Sequence, residues 1–443
     1  MELILLFTVI LGIIVATIKF KVHPVFSLSA AAIVSGLLFG LSPENIMKTI
    51  GEGFGKTLSS IGLVIAFGTV IGTFLERTGG TKVLARAILK LVGLNKSPLA
   101  LNLAGLIISI PVYCDSGFVI LSSLNKALSK KSGIKILVFA IALATGLYSA
   151  HVFVPPTPGP LAAAAILEAD LGMVMLFGLL VAVCVSLTGY FWALFIGKRL
   201  HAQEESIPEN TIDAVVEEEK DLPKLWNTLL PLFLPLVLIA LKSVAEYPTQ
   251  PLGAGLMASL FRFFGDPIVA LFIGVLLSFL MVKQPPSGQK QLWVGESLKQ
   301  AGAIVLITGA GGAFGAVLRT LDFASLLQID AASGMGGLLL AFGIAAVLKT
   351  AQGSSTVSII TTAAIIAPLL TTFGLESITQ KALVVLAIGA GAMTVSHVND
   401  SYFWVVAEFS KMDMKTALRG HTLATLFQGI TGIGVILLLY VLL

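Results

Sequence analysis

Apolar runs of about 17 to 25 residues, the length that crosses a ~30 Å hydrocarbon core as helix, recur from Leu3 to Leu443 with short polar stretches between them. A membrane β-barrel would instead show alternating ten-residue segments. The pattern predicts an all-α integral membrane protein. The first run, 3–18, lacks a basic leader and is followed by Lys19, Phe20 and Lys21. That favours a retained helix over a cleaved signal peptide. Four later runs are interrupted at depth by Pro, Gly or polar residues: near 111–117, 148–160, 349–355 and 396–402.

Positive charge orients the runs, because basic loops stay cytoplasmic. Lys19 and Lys21 follow the first run, and Arg77, Lys82, Arg86, Lys90 and Lys96 follow the run 59–75. The next apolar stretch, 97–125, is basic at both ends, with Lys126, Lys130, Lys131 and Lys135 beyond it. A single crossing cannot satisfy both ends. A re-entrant hairpin with its tip at 111–117 can, since Pro and Gly supply the turn.

Continued along the chain, the count places crossings at 136–167, 171–197, 225–241, 266–282, 301–318, 381–407 and 421–443. A second hairpin, 333–372, has its tip at 349–355 and enters from the opposite side. Each half then holds about five crossings and one hairpin in opposite orientation, an inverted repeat with broken helices meeting near the bilayer midplane. The expected units are a first repeat, 1–199, an acidic cytoplasmic linker, 200–223, and a second repeat, 224–443. Short echoes support the repeat: GlyGlu at 51 and 295, the pairs Gly68/Gly72 and Gly311/Gly315, and the histidines of 149–152 and 395–398. The alternative is twelve plain crossings.

Composition agrees with the pattern: 56% of residues are hydrophobic and only 12% charged, against about 25% charged in an average soluble domain. The net charge of +4 lies mostly in Lys/Arg clusters between the apolar runs, where orientation rather than nucleic-acid binding explains it. Cys114 and Cys184 cannot make a disulfide framework or a CxxC metal site. No Walker motif, nucleophile elbow or metal-ligand spacing is present. The chain thus reads as no enzyme, with no cofactor or metal.

The four interruptions carry the candidate chemistry. Pro155, Pro156, Pro158 and Pro160 cannot continue a helix; they unwind the crossing unless the stretch is simply an outer loop. A charge at the bilayer centre costs at least ~2.5 to 3.5 kcal/mol, so Asp115, Lys349 and Asp400 should face a cavity and find partners. One alternative is a mutual Asp115–Lys349 pair that only locks the hairpins. Ser116, Gly117, Ser149, Thr157, Gln352, Gly353, Ser354, Ser355, Thr356, Ser396 and Asn399 complete a substrate site suited to a solute with many hydroxyls. Lys349, helix N-termini and backbone N–H groups suit its carboxylate. His151 and His397 titrate in the physiological range and are natural proton carriers. Asp115 is the favoured coupling group ahead of His151, because desolvation can strongly raise a carboxyl's proton affinity.

ValPheValProProThrProGlyPro (152–160), AlaGlnGlySerSerThrVal (351–357), SerHisValAsnAsp (396–400) with Phe403 and Trp404, and AspSerGlyPhe (115–118) resemble the gluconate permease (GntP) family, and the likeness runs end to end. Its members are bacterial proton symporters for gluconate and related hydroxy acids, with D-serine permeases among them. The resemblance implies a multi-pass protein of the bacterial inner membrane, a homodimer in the lipid bilayer, and elevator movement. The expected function is import of a sugar acid with protons. The alternatives are a D-serine or glycerate permease, an ion channel or a Na+-coupled carrier. Thr157, Asp115, Lys349 and the Ser401–Tyr402 pair depart from the family's His, Glu, Arg and ProGly, so a hydroxycarboxylate is better supported than gluconate itself.

Overall fold

The computed structural model describes residues 8, 9, 11–13, 15, 16, 19–200, 222–246, 255–282, 288–320, 334–398 and 400–443. Most of the first run, the body of the acidic linker, the segment 321–333 and Asn399 lie outside the described residues. Among those described there are helices and no strands. Among the described residues, seven helices are long and apolar enough to cross a membrane, or up to nine if two sharply bent pairs each count as one span.

The first half runs α1 (Pro24–Leu38), α2 (Pro43–Arg77), α3 (Gly80–Val92), α4 (Ser97–Ile108), α5 (Cys114–Ser132), α6 (Ile136–Phe153), α7 (Pro158–Ile166) and α8 (Leu171–Gly197). The second runs α9 (Leu225–Glu246), α10 (Leu256–Phe264), α11 (Pro267–Ser278), α12 (Gln289–Arg319), α13 (Gly334–Gln352), α14 (Ser355–Ile366), α15 (Ile378–Met393) and α16 (Ser401–Phe409). The chain closes with α17 (Met414–Leu442), which carries a π turn at Leu418–Thr422.

Local chemistry sets the boundaries. Helix α2 starts at the Ser42 cap with Pro43 in its first turn, and α15 starts in a capping box made by Ser377 and Gln380. The basic stretch that carries Lys82, Arg86 and Lys90 forms α3, bent 112° from the helix that follows. The proline stretch divides its labour. Pro155 and Pro156 occupy the gap after α6, whereas Pro158 and Pro160 lie in the first turn of α7, where a missing N–H leaves nothing unsatisfied.

Helices α2 and α12 pack along each other through small residues. A Cβ on Gly53 would lie 2.5 Å from Ala316 Cβ, and one on Gly312 would lie 2.0 Å from Thr57 Oγ1. The two GxxxG pairs face elsewhere: Gly68 and Gly72 meet Pro156 and Pro111, and Gly311 meets Ile360 with Gly315 near Ala364. The long helices thus grip the interrupted segments at residues where no side chain intervenes. The stretch Ile136–Ile166 is 94% buried in its most apolar window, against 33% for Leu225–Glu246. The broken helix is therefore the centre of the fold, and α9 lies at its periphery.

Candidate functional site

Each interruption seen in the sequence is a break between two helices. The first turn, between α4 and α5, spans 109–113, and Ser109 Oγ donates to Val112 O at 3.0 Å. The second, between α13 and α14, consists of Gly353 and Ser354, with Ser358 Oγ donating back to Ala345 O at 2.7 Å. The breaks in the crossing helices fall at 154–157 and 394–400. They lie together: Gly389 packs on Val152 O, and Tyr402 Oη donates to Ala144 O at 2.9 Å.

At the centre, Lys349 Nζ donates to Asp400 Oδ2 at 2.5 Å and to Gly353 O at 2.9 Å. The side chains of this ion pair are only 1% and 6% exposed. Ser396 Oγ donates to the same Asp400 oxygen, while Asp400 Oδ1 caps α16 by accepting from Tyr402 N at 3.1 Å. Lys349 therefore pairs with Asp400 rather than with Asp115. Asp115, in the first turn of α5, lies against Ser401 and within electrostatic reach of Asp400 and Lys349, and its Oδ1 has no partner.

The other expected residues divide into those around this pair and those held elsewhere. Ser355 meets Tyr148, whose ring lies 5.9 Å from Lys349 Nζ. Ser354 caps α14 by accepting from Val357 N at 3.3 Å. The Thr356 backbone abuts Gly159 at the start of α7. Gln352 closes α13 beside Gly353. Buried His151 lies between Tyr113 and Tyr148, with ring centroids 6.2 and 6.4 Å away, and its Nδ1 has no partner.

Thr157 donates to Val154 O at 2.6 Å, and Ser149 to Thr145 O at 2.7 Å, so both hydroxyl protons are used locally. Ser116 meets Glu76, and Gly117 packs on Leu147. His397 Nε2 pairs with Thr350 O at 3.0 Å, tying the break at 394–400 to the end of α13.

The structure adds residues that the sequence reading passed over. His421, in the π turn of α17, places Nε2 3.2 Å from Ser396 Oγ. Gln428 donates to Ser149 Oγ at 3.0 Å. A signal was available: His421, Thr425 and Gln428 follow the i, i+4, i+7 spacing of one helix face in an otherwise apolar run.

A second polar place lies where α2, α7 and α12 meet. A cavity of about 300 Å³ there is lined by Lys56, Thr57, Ser60, Glu168 and Arg319 among others. Lys56 Nζ pairs with Glu168 Oε1 at 2.6 Å, Arg319 Nη1 approaches the same oxygen at 3.4 Å, and Arg319 Nη2 donates to Ile166 O. The bond from Lys56 holds the Glu168 carboxyl below its ordinary value against the effect of partial burial. Among the described residues no group of three or more His, Cys, Asp or Glu could hold a metal ion.

Polar and charged groups gathered at breaks in deeply buried helices define a multi-pass solute transporter rather than an enzyme. The chain matches the model of the GntP family permeases over residues 1–442 and belongs to that family. It is 32% identical to a gluconate permease of Pseudomonas aeruginosa, over 97% of this chain and 95% of that one. It is 33% identical to the D-serine transporter DsdX of Escherichia coli, over 97% and 96%. The solved structure of Neisseria gonorrhoeae MtrF shares the fold, with a TM-score of 0.69, 14% identity and 96% of each chain covered. The protein is a permease of the bacterial inner membrane.

Proposed function

We propose that this permease imports a small hydroxycarboxylate, a sugar acid such as gluconate, in symport with protons. One observation carries the reading. The N-termini of three helices, α5, α14 and α16, begin at the breaks around Lys349 and Asp400. A helix N-terminus carries partial positive charge and free N–H groups that suit a carboxylate. Lys349 adds a full charge, and Ser355, which meets the same Tyr148 that Lys349 faces, offers a hydroxyl. The gluconate permease among the relatives supports a sugar acid. DsdX supports D-serine as the second reading, since that solute also carries a carboxylate and a hydroxyl.

The same reading makes the chain two inverted repeats, 1–199 and 224–443, joined by the linker 200–223. Three pairings support it: α4–α5 with α13–α14, α6–α7 with α15–α16, and α8 with α17. Cross-contacts obey the same pairing, because α7 meets α14 at Gly159–Thr356 and α16 meets α5 at Tyr402–Phe118. The hairpins are re-entrant, and a homodimer moves them past α2 and α12 as an elevator. Purified protein in liposomes tests the reading. Gluconate should accumulate under an inward proton gradient and not under a sodium gradient; accumulation of D-serine alone would select the second reading.

A further inference from the structure

In this structure the cation suited to a substrate carboxylate is already held by one of the protein's own carboxylates. Lys349 Nζ lies 2.5 Å from Asp400 Oδ2. A second carboxylate arriving at this buried ammonium would place two anions on one cation, an arrangement that apolar surroundings penalise heavily. Uptake of one proton by the displaced carboxylate restores neutrality.

We propose that Asp400 is the coupling carboxyl: the substrate carboxylate takes its place on Lys349, and Asp400 takes up the proton that travels with the substrate. This rests on the reading of the substrate as a carboxylate anion. One O–H bond forms on Asp400, the proton comes from the medium, and the site keeps the same net charge before and after loading. Cargo and proton are bound and released together because neither fits well without the other.

A hydrogen-bonded chain leads from Asp400 to α17. Ser396 Oγ joins Asp400 to His421 Nε2, and the far ring nitrogen, Nδ1, of the buried His421 has no partner. The titratable groups facing the pair are Cys114 and Asp115 from α5, Tyr148 and His151 from α6, Tyr402 from α16 and His421 from α17. Asp115 is the rival acceptor. It does not share Lys349, so arrival of an anion on Lys349 displaces nothing from it.

Two independent arms test this. Without ligand, Lys349→Gln mimics displacement of the cation. Infrared difference spectra at neutral pH should show the carbonyl stretch of a protonated carboxyl in Lys349→Gln. That band should be absent from the unaltered protein and from Lys349→Gln/Asp400→Asn. A band that survives Asp400→Asn but disappears with Asp115→Asn, or no band at all, overturns the proposal.

In the second arm, gluconate is added to purified protein in weakly buffered detergent with a pH dye. The expected proton count per bound gluconate is one, falling to none in Asp400→Asn and unchanged in Asp115→Asn. Retention of the proton by Asp400→Asn overturns the proposal. His421→Gln should keep the count and slow the uptake of the proton after a pH jump; an unchanged rate overturns the relay. If the unaltered protein binds no gluconate, the substrate reading fails, and the infrared arm still decides the role of Asp400.

Discussion

Removal of either partner of the Lys349–Asp400 pair should be among the most destabilising single changes in the protein. With side chains 1% and 6% exposed, neither group can recover hydration when its partner is lost. Breaking a buried ion pair from one side costs about 3–5 kcal/mol. Lys349→Met leaves Asp400 with only the Ser396 hydroxyl and the Tyr402 N–H, and Asp400→Asn leaves an ammonium facing Gly353 O. Removing both charges leaves no orphan, so the double variant should recover much of the loss, with an interaction energy on the order of 2–3 kcal/mol. The Lys56–Glu168 pair, with side chains 72% and 45% exposed, is the control, since solvent-exposed pairs contribute roughly 0–1 kcal/mol. Unfolding in mixed micelles over the four proteins of each cycle gives the numbers. Strictly additive losses at 349 and 400, or single losses no larger than those of the control, would refute the claim that the charges are mutually dependent.

Three further outcomes are expected. Cysteines placed at Leu94 and Ser132, the two ends of the first hairpin, should both be labelled from the cytoplasmic side of intact membranes; labelling from opposite faces would end the re-entrant reading and the inverted count with it. Gly72→Ala should cost about 1–3 kcal/mol by overpacking and impair uptake, because its Cβ would lie 2.1 Å from Pro111 O, whereas Gly62→Ala on the same helix meets nothing within 4 Å. Equal stability of the two variants would contradict the packing of α2 on the first turn. Because Glu168 is held below its ordinary value, chiefly by Lys56, its contribution is fully present above that value and fades as pH falls through the lowered one. The stability difference between the unaltered protein and Glu168→Gln should therefore shrink on acidification, and a difference that grew toward acid would exclude the ion pair as its source.

The sequence by itself marked the apolar centre of the spans and the places where they break, though helices such as α2 and α12 extend well beyond the runs 59–75 and 301–318. Apolar length marked the spans, and 171–197 is helix α8 to the residue. Pro155 and Pro156, Gly353 with Ser354, and the polar run near 396–400 marked the breaks, because a missing N–H, a left-handed Gly353 and capping side chains act on the chain within a few residues. The candidate residues followed from those breaks. Only the tertiary structure decided which of them meet. Lys349 lies 51 positions from Asp400 and far from Asp115 along the chain, and charge alone made either carboxylate an eligible partner. The choice came from α16, whose N-cap brings Asp400 onto the second turn, while α5 carries Asp115 to Ser401. The GxxxG pairs show the same limit. Spacing announced close packing, but the partners of Gly68 and Gly72 proved to be Pro156 and Pro111, set by how α2 crosses the breaks. His421 and Gln428 joined the site for that reason too: a buried polar side chain must be satisfied somewhere, and only the packing of α17 against α6 and the second break supplied Ser396 and Ser149.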